Sequence, residues 1–334
     1  MIGVVVAALL LWVWEPNDQK AENTYHFNQG HVFGTEYHIQ YEATEDLESV
    51  IKDALQAFDN SLSMFNPHSI LSAVNANRDT MTNETFETMF AEAERVYALS
   101  GGAFDITIGP LVNYFGFGNK SYQPAAINEQ AIDSIRQFVG FEKVQLVDHK
   151  VIKSDPRVAL DAGAVAKGQA CDVVAQVLRE HGCTNYLVEI GGEVVAHGVN
   201  AEGKPWGIGI SKLNLNNEGV QEGYQEILHL TDACLATSGN YRNFRTDEES
   251  KTVYGHTIDP RVGRPIQRSV YSATVISSTC MRADALATAC MVLGAEEALD
   301  MIERAKDAAC LLIVVENDEL VVLTSSKWEK MSAK

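Results

Sequence analysis

Asp284 and Thr288 stand four residues apart in ADALATA, so on a helix they share one face and offer a carboxylate and a hydroxyl to a single hard cation. Magnesium suits that oxygen pair, although the same spacing also fits an acid that caps or solvates a helix beside a packed threonine. A second cluster is LDAGAVAKGQACD, where Asp161 closes a short apolar run and Lys167 falls in the first turn of the helix that follows. Backbone N–H groups at such a helix start favour negative charge, and a lysine there adds to the attraction for phosphate. In HTIDPRVGRP, His256 leads into an Asp-Pro turn and is followed by Arg261 and Arg264, with TSGNYRNF about twenty residues upstream. A histidine poised near neutral pH can take a proton from a hydroxyl nucleophile, though a lone histidine is also a common structural residue. The remaining histidines show no H-E-x-x-H or H-x-x-x-H spacing, which excludes the usual zinc hydrolase pattern. Walker, G-x-S-x-G and strand-borne G-x-G-x-x-G motifs are also missing.

The elements that must position these groups are legible in the apolar periodicity. Stripes at helical spacing predict helices over 47–62, from Asn83 to a stop at Gly101 and Gly102, over 128–139, and from about Val165 to Gly182. Two more are predicted over 281–293 and 296–306. KVQLV and VIKS read as a hairpin turning at Asp148 and His149, and 158–161 reads as a short strand. TNYLVEI and EVVAHG flank a Gly191-Gly192 turn, WGIGI and EILHL alternate as strands do, SATVIS adds another, and CLLIVVENDELVVLTS closes the chain as a hairpin. Interspersed strands and helices imply an α+β or mixed α/β enzyme-like body, mixed sheets with packed helices in two interlocked halves over 24–330.

Composition bounds the function. With 334 residues, 46% hydrophobic and 21% charged, the chain has ample apolar surface for a core. Its 26 Lys and Arg against 45 Asp and Glu give a net charge of −19, with no basic patch, so nucleic acid is excluded as a partner. Any phosphate ligand then needs neutralising by a cation or a few placed bases. Six cysteines (171, 183, 234, 280, 290, 310) lack zinc spacing and read mostly as buried thiols, with disulfides open to an exported chain. Residues 2–14 form an unbroken apolar run, shorter than a spanning helix needs but suited to an export signal, with a linker to about residue 23. No basic residue precedes the run and no small-x-small cleavage site follows it directly. The expectation is export.

Taken together and in order, six blocks resemble the ApbE-type FAD:protein FMN transferases: VFGTEYHI, SMFNPHSILSAVN, SGGAFDITIGPLV, LDAGAVAKGQACD, TSGNYR with HTIDPRVGRP, and ADALATA. The resemblance implies an enzyme with a T-fold-like body that uses Mg²⁺ to cleave FAD, releases AMP, and joins FMN by a phosphoester bond to a Thr or Ser of a partner protein. It implies that Asp284, Thr288 and the carbonyl of Ala164 hold Mg²⁺, and that His256 assists deprotonation of the acceptor hydroxyl. Lys167 would lie near the FAD phosphates, with Ala103, Phe104, Asp105, Asp161 and Ile258 against FAD and Thr237, Ser238 and Gly239 as a backbone turn lining the site. Flat apolar contacts for the rings would come from Phe33, Phe65 and Phe104. The implied partners are membrane redox subunits of the NADH:quinone reductase or Rnf type, on the periplasmic side of the inner membrane, with N-terminal anchoring left open. Two departures stand out: Phe33 where the family has Met before Gly-Thr, and Phe65 where it has Tyr. Two alternatives are a Mg²⁺-dependent FAD pyrophosphatase giving FMN and AMP, and a flavin-binding protein without catalysis.

Overall fold

The computed structural model describes residues 24–118, 127–214, 219–239, 244–246, 253–266, 270–317 and 319–333. The apolar run 2–14 and the Asn-Tyr-Arg part of TSGNYR lie outside them. An eight-stranded antiparallel sheet runs through the molecule in the order Thr24–Val32, Thr35–Ala43, Tyr186–Ile190, Glu193–His197, Ala233–Gly239, Val270–Ser277, Ala309–Glu316 and Glu319–Thr324. Its central strands are buried on both faces, which is why ACLLIVV is a continuous apolar run rather than an alternating one. Cys310, Leu312 and Val314 face a core shared with the helices. Leu311 and Ile313 face a second core closed by the Trp206–Asn214 and Gly219–Leu230 hairpin and by Trp328. The molecule is therefore layered as helices, sheet and hairpin.

Cys280–Leu293 is the central helix, and it is buried on almost every side because its residues are small or apolar all round. Ala166–Glu180 crosses it at close range. A Cβ at Gly168 would come within 2.3 Å of the Cys280 carbonyl oxygen, so only glycine permits that approach. Asp172, from the same helix, caps the start of its neighbour by accepting the Cys280 and Met281 N–H groups, each at 2.9 Å.

Most predicted elements are present: Glu48–Leu62, Glu84–Ser100 capped by Asn83 and ended by a left-handed Gly101, the hairpin Val144–Val147 with Lys150–Lys153, and Ala295–Arg304. Three expectations are corrected. The segment 158–161 is not a strand beyond one bridge between Ile108 and Ala159. The Asn75 side chain bonds both the N–H and the carbonyl of Leu160, and the Ile106 carbonyl takes the Asp161 N–H, so the backbone is satisfied without a ladder. The helix predicted over 128–139 stops at Arg136, its last residues tightening to bonds from Phe138 to Ile135 and from Val139 to Arg136. Thr237, Ser238 and Gly239 are not a turn but the end of a strand, paired with Thr274, Ala273 and Ser272. All six cysteines are buried free thiols.

Candidate active site

The candidate catalytic, flavin-binding and metal-binding residues line one cavity of about 1070 Å³, whereas Arg261 and Arg264 are not among its lining residues. Its floor is built where the two crossing helices meet the ends of the central strands. Asp284 projects from the middle of the central helix, 3% exposed, and its Oδ2 accepts the Gly168 N–H at 3.1 Å. In a regular helix that N–H would close on the Ala164 carbonyl, four residues back. Among the described residues no backbone N–H closes on that carbonyl. Asp161 shapes the turn that carries it, its Oδ1 accepting the Gly163 N–H at 2.7 Å. One turn beyond Asp284, the Thr288 hydroxyl lies 3.2 Å from that of Ser238, while Thr237 is 2.9 Å from Thr274.

The wall thus offers a carboxylate, a hydroxyl and a main-chain carbonyl, an all-oxygen set that fits a hard divalent cation still carrying water or phosphate oxygens. No trio of His, Cys, Asp or Glu gathers as a metal site among the described residues.

Lys167 enters the cavity from the first turn of Ala166–Glu180 and meets Glu193 Oε1 at 2.7 Å. Burial alone pulls its ammonium down, but the carboxylates of Asp284 and Glu193 overcome that and hold it charged, above the ordinary lysine range. Burial also pushes Asp284 up, opposed by Lys167, and pushes Glu193 up against the same attraction. Glu193 is the residue the sequence reading missed. It follows two glycines at the head of an apolar strand, and its partner comes from a helix 26 positions earlier, so no local spacing marks it.

The opposite walls are apolar. Phe33 and Gly34 form the two-residue turn between the first two strands, with φ of 52° and 76°. A phenylalanine held at positive φ is unusual and turns its ring onto Phe58, centroids 5.4 Å apart. Phe65 is 68% exposed at the rim, whereas Ala103, Phe104 and Ile258 are buried. Asp105 is buried too, and its Oδ1 accepts both the N–H and the hydroxyl of Thr107 at 2.7 Å. Burial nevertheless raises its carboxyl to about 6, and raises that of Asp161 as well. His256 faces the Phe117 ring at 6.2 Å. The two arginines of HTIDPRVGRP are spoken for: Arg261 grips Asp259 through two hydrogen bonds of 2.9 Å, and Arg264 pairs with Glu129. Among the described residues, Lys167 is the lysine or arginine that lines the cavity.

The model of the ApbE family matches residues 33–312. The chain belongs to the ApbE family. It is therefore an enzyme of the flavin-transferase type, as its six blocks imply. An FAD:protein FMN transferase of Vibrio cholerae is 34% identical over 341 residues, covering 99% of this chain and 98% of that protein. The ApbE flavin transferase structure from Vibrio cholerae superposes with a TM-score of 0.83 at 33% identity, covering 92% of this chain and 99% of the other. The apo flavinyl transferase ApbE of Pseudomonas stutzeri gives the same TM-score, 0.83, at 30% identity, with 94% and 98% covered.

Proposed function

We propose that this ApbE-family enzyme uses Mg²⁺ to transfer FMN from FAD to a Thr or Ser hydroxyl of a partner protein, releasing AMP. The observation that carries the reading is that Asp284, Thr288 and Ala164 line one cavity together with Lys167, whose ammonium the Asp284 carboxylate attracts. When bound there, Mg²⁺ supplies charge neutralisation to the pyrophosphate and to the transition state of phosphoryl transfer. This chain's residues do the rest. Asp284, Thr288 and Ala164 hold the ion, and Lys167 meets phosphate oxygens. Phe33, Phe65, Phe104 and Ile258 give the rings apolar contact, with Asp105 or Asp161 accepting hydrogen bonds from flavin or ribose. His256 takes the acceptor's hydroxyl proton as its oxygen forms a bond to the FMN phosphorus. The phosphorus–oxygen bond to AMP breaks and AMP leaves with the bridging oxygen.

Redox subunits of the NADH:quinone reductase or Rnf type, met on the periplasmic face of the inner membrane, fit a chain with the apolar run 2–14 and an acidic body. Fractionation of cells carrying the full chain checks this placement, which a purely cytoplasmic protein contradicts. Incubation with FAD, Mg²⁺ and an acceptor bearing a target Thr is expected to give a fluorescent protein band resistant to denaturation and one AMP per band. AMP with only free FMN supports the pyrophosphatase instead, and neither product points to a flavin-binding protein.

A further inference from the structure

Glu193 opens the strand Glu193–His197 with its side chain only 2% exposed, yet it lines the cavity. Its two oxygens are used unequally. Oε1 meets the Lys167 ammonium at 2.7 Å, while Oε2 is buried without a hydrogen-bond partner. A buried carboxylate kept for stability alone is expected to have both oxygens satisfied, and an ion pair at such depth gains little net free energy. The half-satisfied carboxylate calls for a different reason, and Lys167 supplies it.

The turn that delivers Glu193 also seats the lysine's stem. A Cβ at Gly191, where φ is +64°, would stand 3.3 Å from Lys167 Cδ and 2.8 Å from Thr35 Cγ2. From the other side the Asp284 carboxylate attracts the same ammonium. A flexible four-carbon chain is thereby fixed from three elements: its own helix, the Gly191-Gly192 turn with Glu193, and the central helix. One of its three N–H groups is committed to Glu193, leaving the others for a ligand in the cavity.

We propose that Glu193 is a positioning residue that clamps the Lys167 ammonium to the cavity wall, so that its remaining N–H groups are aimed at the pyrophosphate of FAD. The inference rests on the flavin-transfer reading above, and it makes a specific prediction about coupling. A residue that acts through Lys167 has nothing left to do once Lys167 is gone.

The test is FAD binding to the full chain, followed by flavin fluorescence with and without Mg²⁺, for the parent, Glu193→Gln, Glu193→Asp, Lys167→Met and the double variant Glu193→Gln/Lys167→Met. Each single substitution is expected to weaken binding about tenfold, as loss of a charge-assisted hydrogen bond does. Glu193→Asp keeps the charge but withdraws it by one methylene, and is expected to behave like Glu193→Gln. The double variant is expected to bind within about twofold of Lys167→Met alone. Losses that multiply in the double variant overturn the clamp. So does unchanged or tighter binding by Glu193→Gln, the result if the carboxylate were only one more negative charge repelling the ligand. A parent that takes up no FAD sinks the transfer reading and the clamp together, whereas FAD binding with independent losses sinks the clamp alone.

Discussion

Asp284 is a carboxylate in the middle of the chain's most enclosed helix, and a charge so placed persists only if something compensates it. Gly168 and Lys167 do so in part, and the cation of the proposed function would complete the task. Asp284→Ala is expected to abolish magnesium-dependent turnover while FAD still binds weakly, read from AMP release across a Mg²⁺ titration. Full activity in that variant contradicts the assignment. His256→Ala is expected to lower the rate of transfer by about 10²-fold or more, the usual worth of a general base, with little change in FAD affinity. Asp105 makes a separate claim about pH. Its folded value of about 6 lies above the ordinary 3.8, so the folded state holds the proton more tightly than the unfolded one. Its contribution to stability therefore falls as pH rises from about 4 to about 6, by roughly 3 kcal/mol, and stays flat above that. Asp105→Asn should lose this part of the slope, which melts at pH 4 and pH 7 measure; parallel slopes in the two proteins contradict it. Asp284, Thr288, Lys167 and His256, which line one cavity, were marked as candidates because their residue types allow such chemistry. Glu193 was not, because its partner is brought to it only by the fold.

The crossing of Ala166–Glu180 over Cys280–Leu293 sets the distance between Lys167 and Asp284, and glycine sets the crossing. Gly168→Ala would drive a methyl into the Cys280 carbonyl, forcing the helices apart. The expected cost is about 1 to 3 kcal/mol in denaturant unfolding, with FAD binding weakened alongside. A variant within experimental error of the parent in both readouts contradicts that role. Helices were legible at this scale because periodicity and caps are local: Asn83, Gly101 and Asn128 mark ends that the structure keeps. The segments 158–161 and 237–239 were misread for the opposite reason. Whether an extended stretch is a strand or a turn depends on which backbone groups meet it, and Asn75 and Val270–Ser277 are remote in sequence. The register of the eight strands was beyond reach for the same reason.

At the scale of the whole molecule, a chain of net charge −19 must admit an anionic dinucleotide if the proposed function holds. Without divalent cations, FAD association should accelerate as salt is raised toward about 0.15 M, because screening weakens the repulsion. Stopped-flow rates that fall with salt would indicate attraction and contradict this reading. The six buried thiols make a further global prediction: a thiol reagent should react slowly with the native protein and find all six after unfolding without reductant. Composition disclosed the charge, but not that the two arginines of HTIDPRVGRP are tied to Asp259 and Glu129. The account therefore turns on the cation. Titration calorimetry of Mg²⁺ into the FAD-saturated protein is the most direct measurement. The account predicts a stoichiometric site in the parent that disappears in Asp284→Ala, and equal Mg²⁺ uptake by both proteins would contradict it.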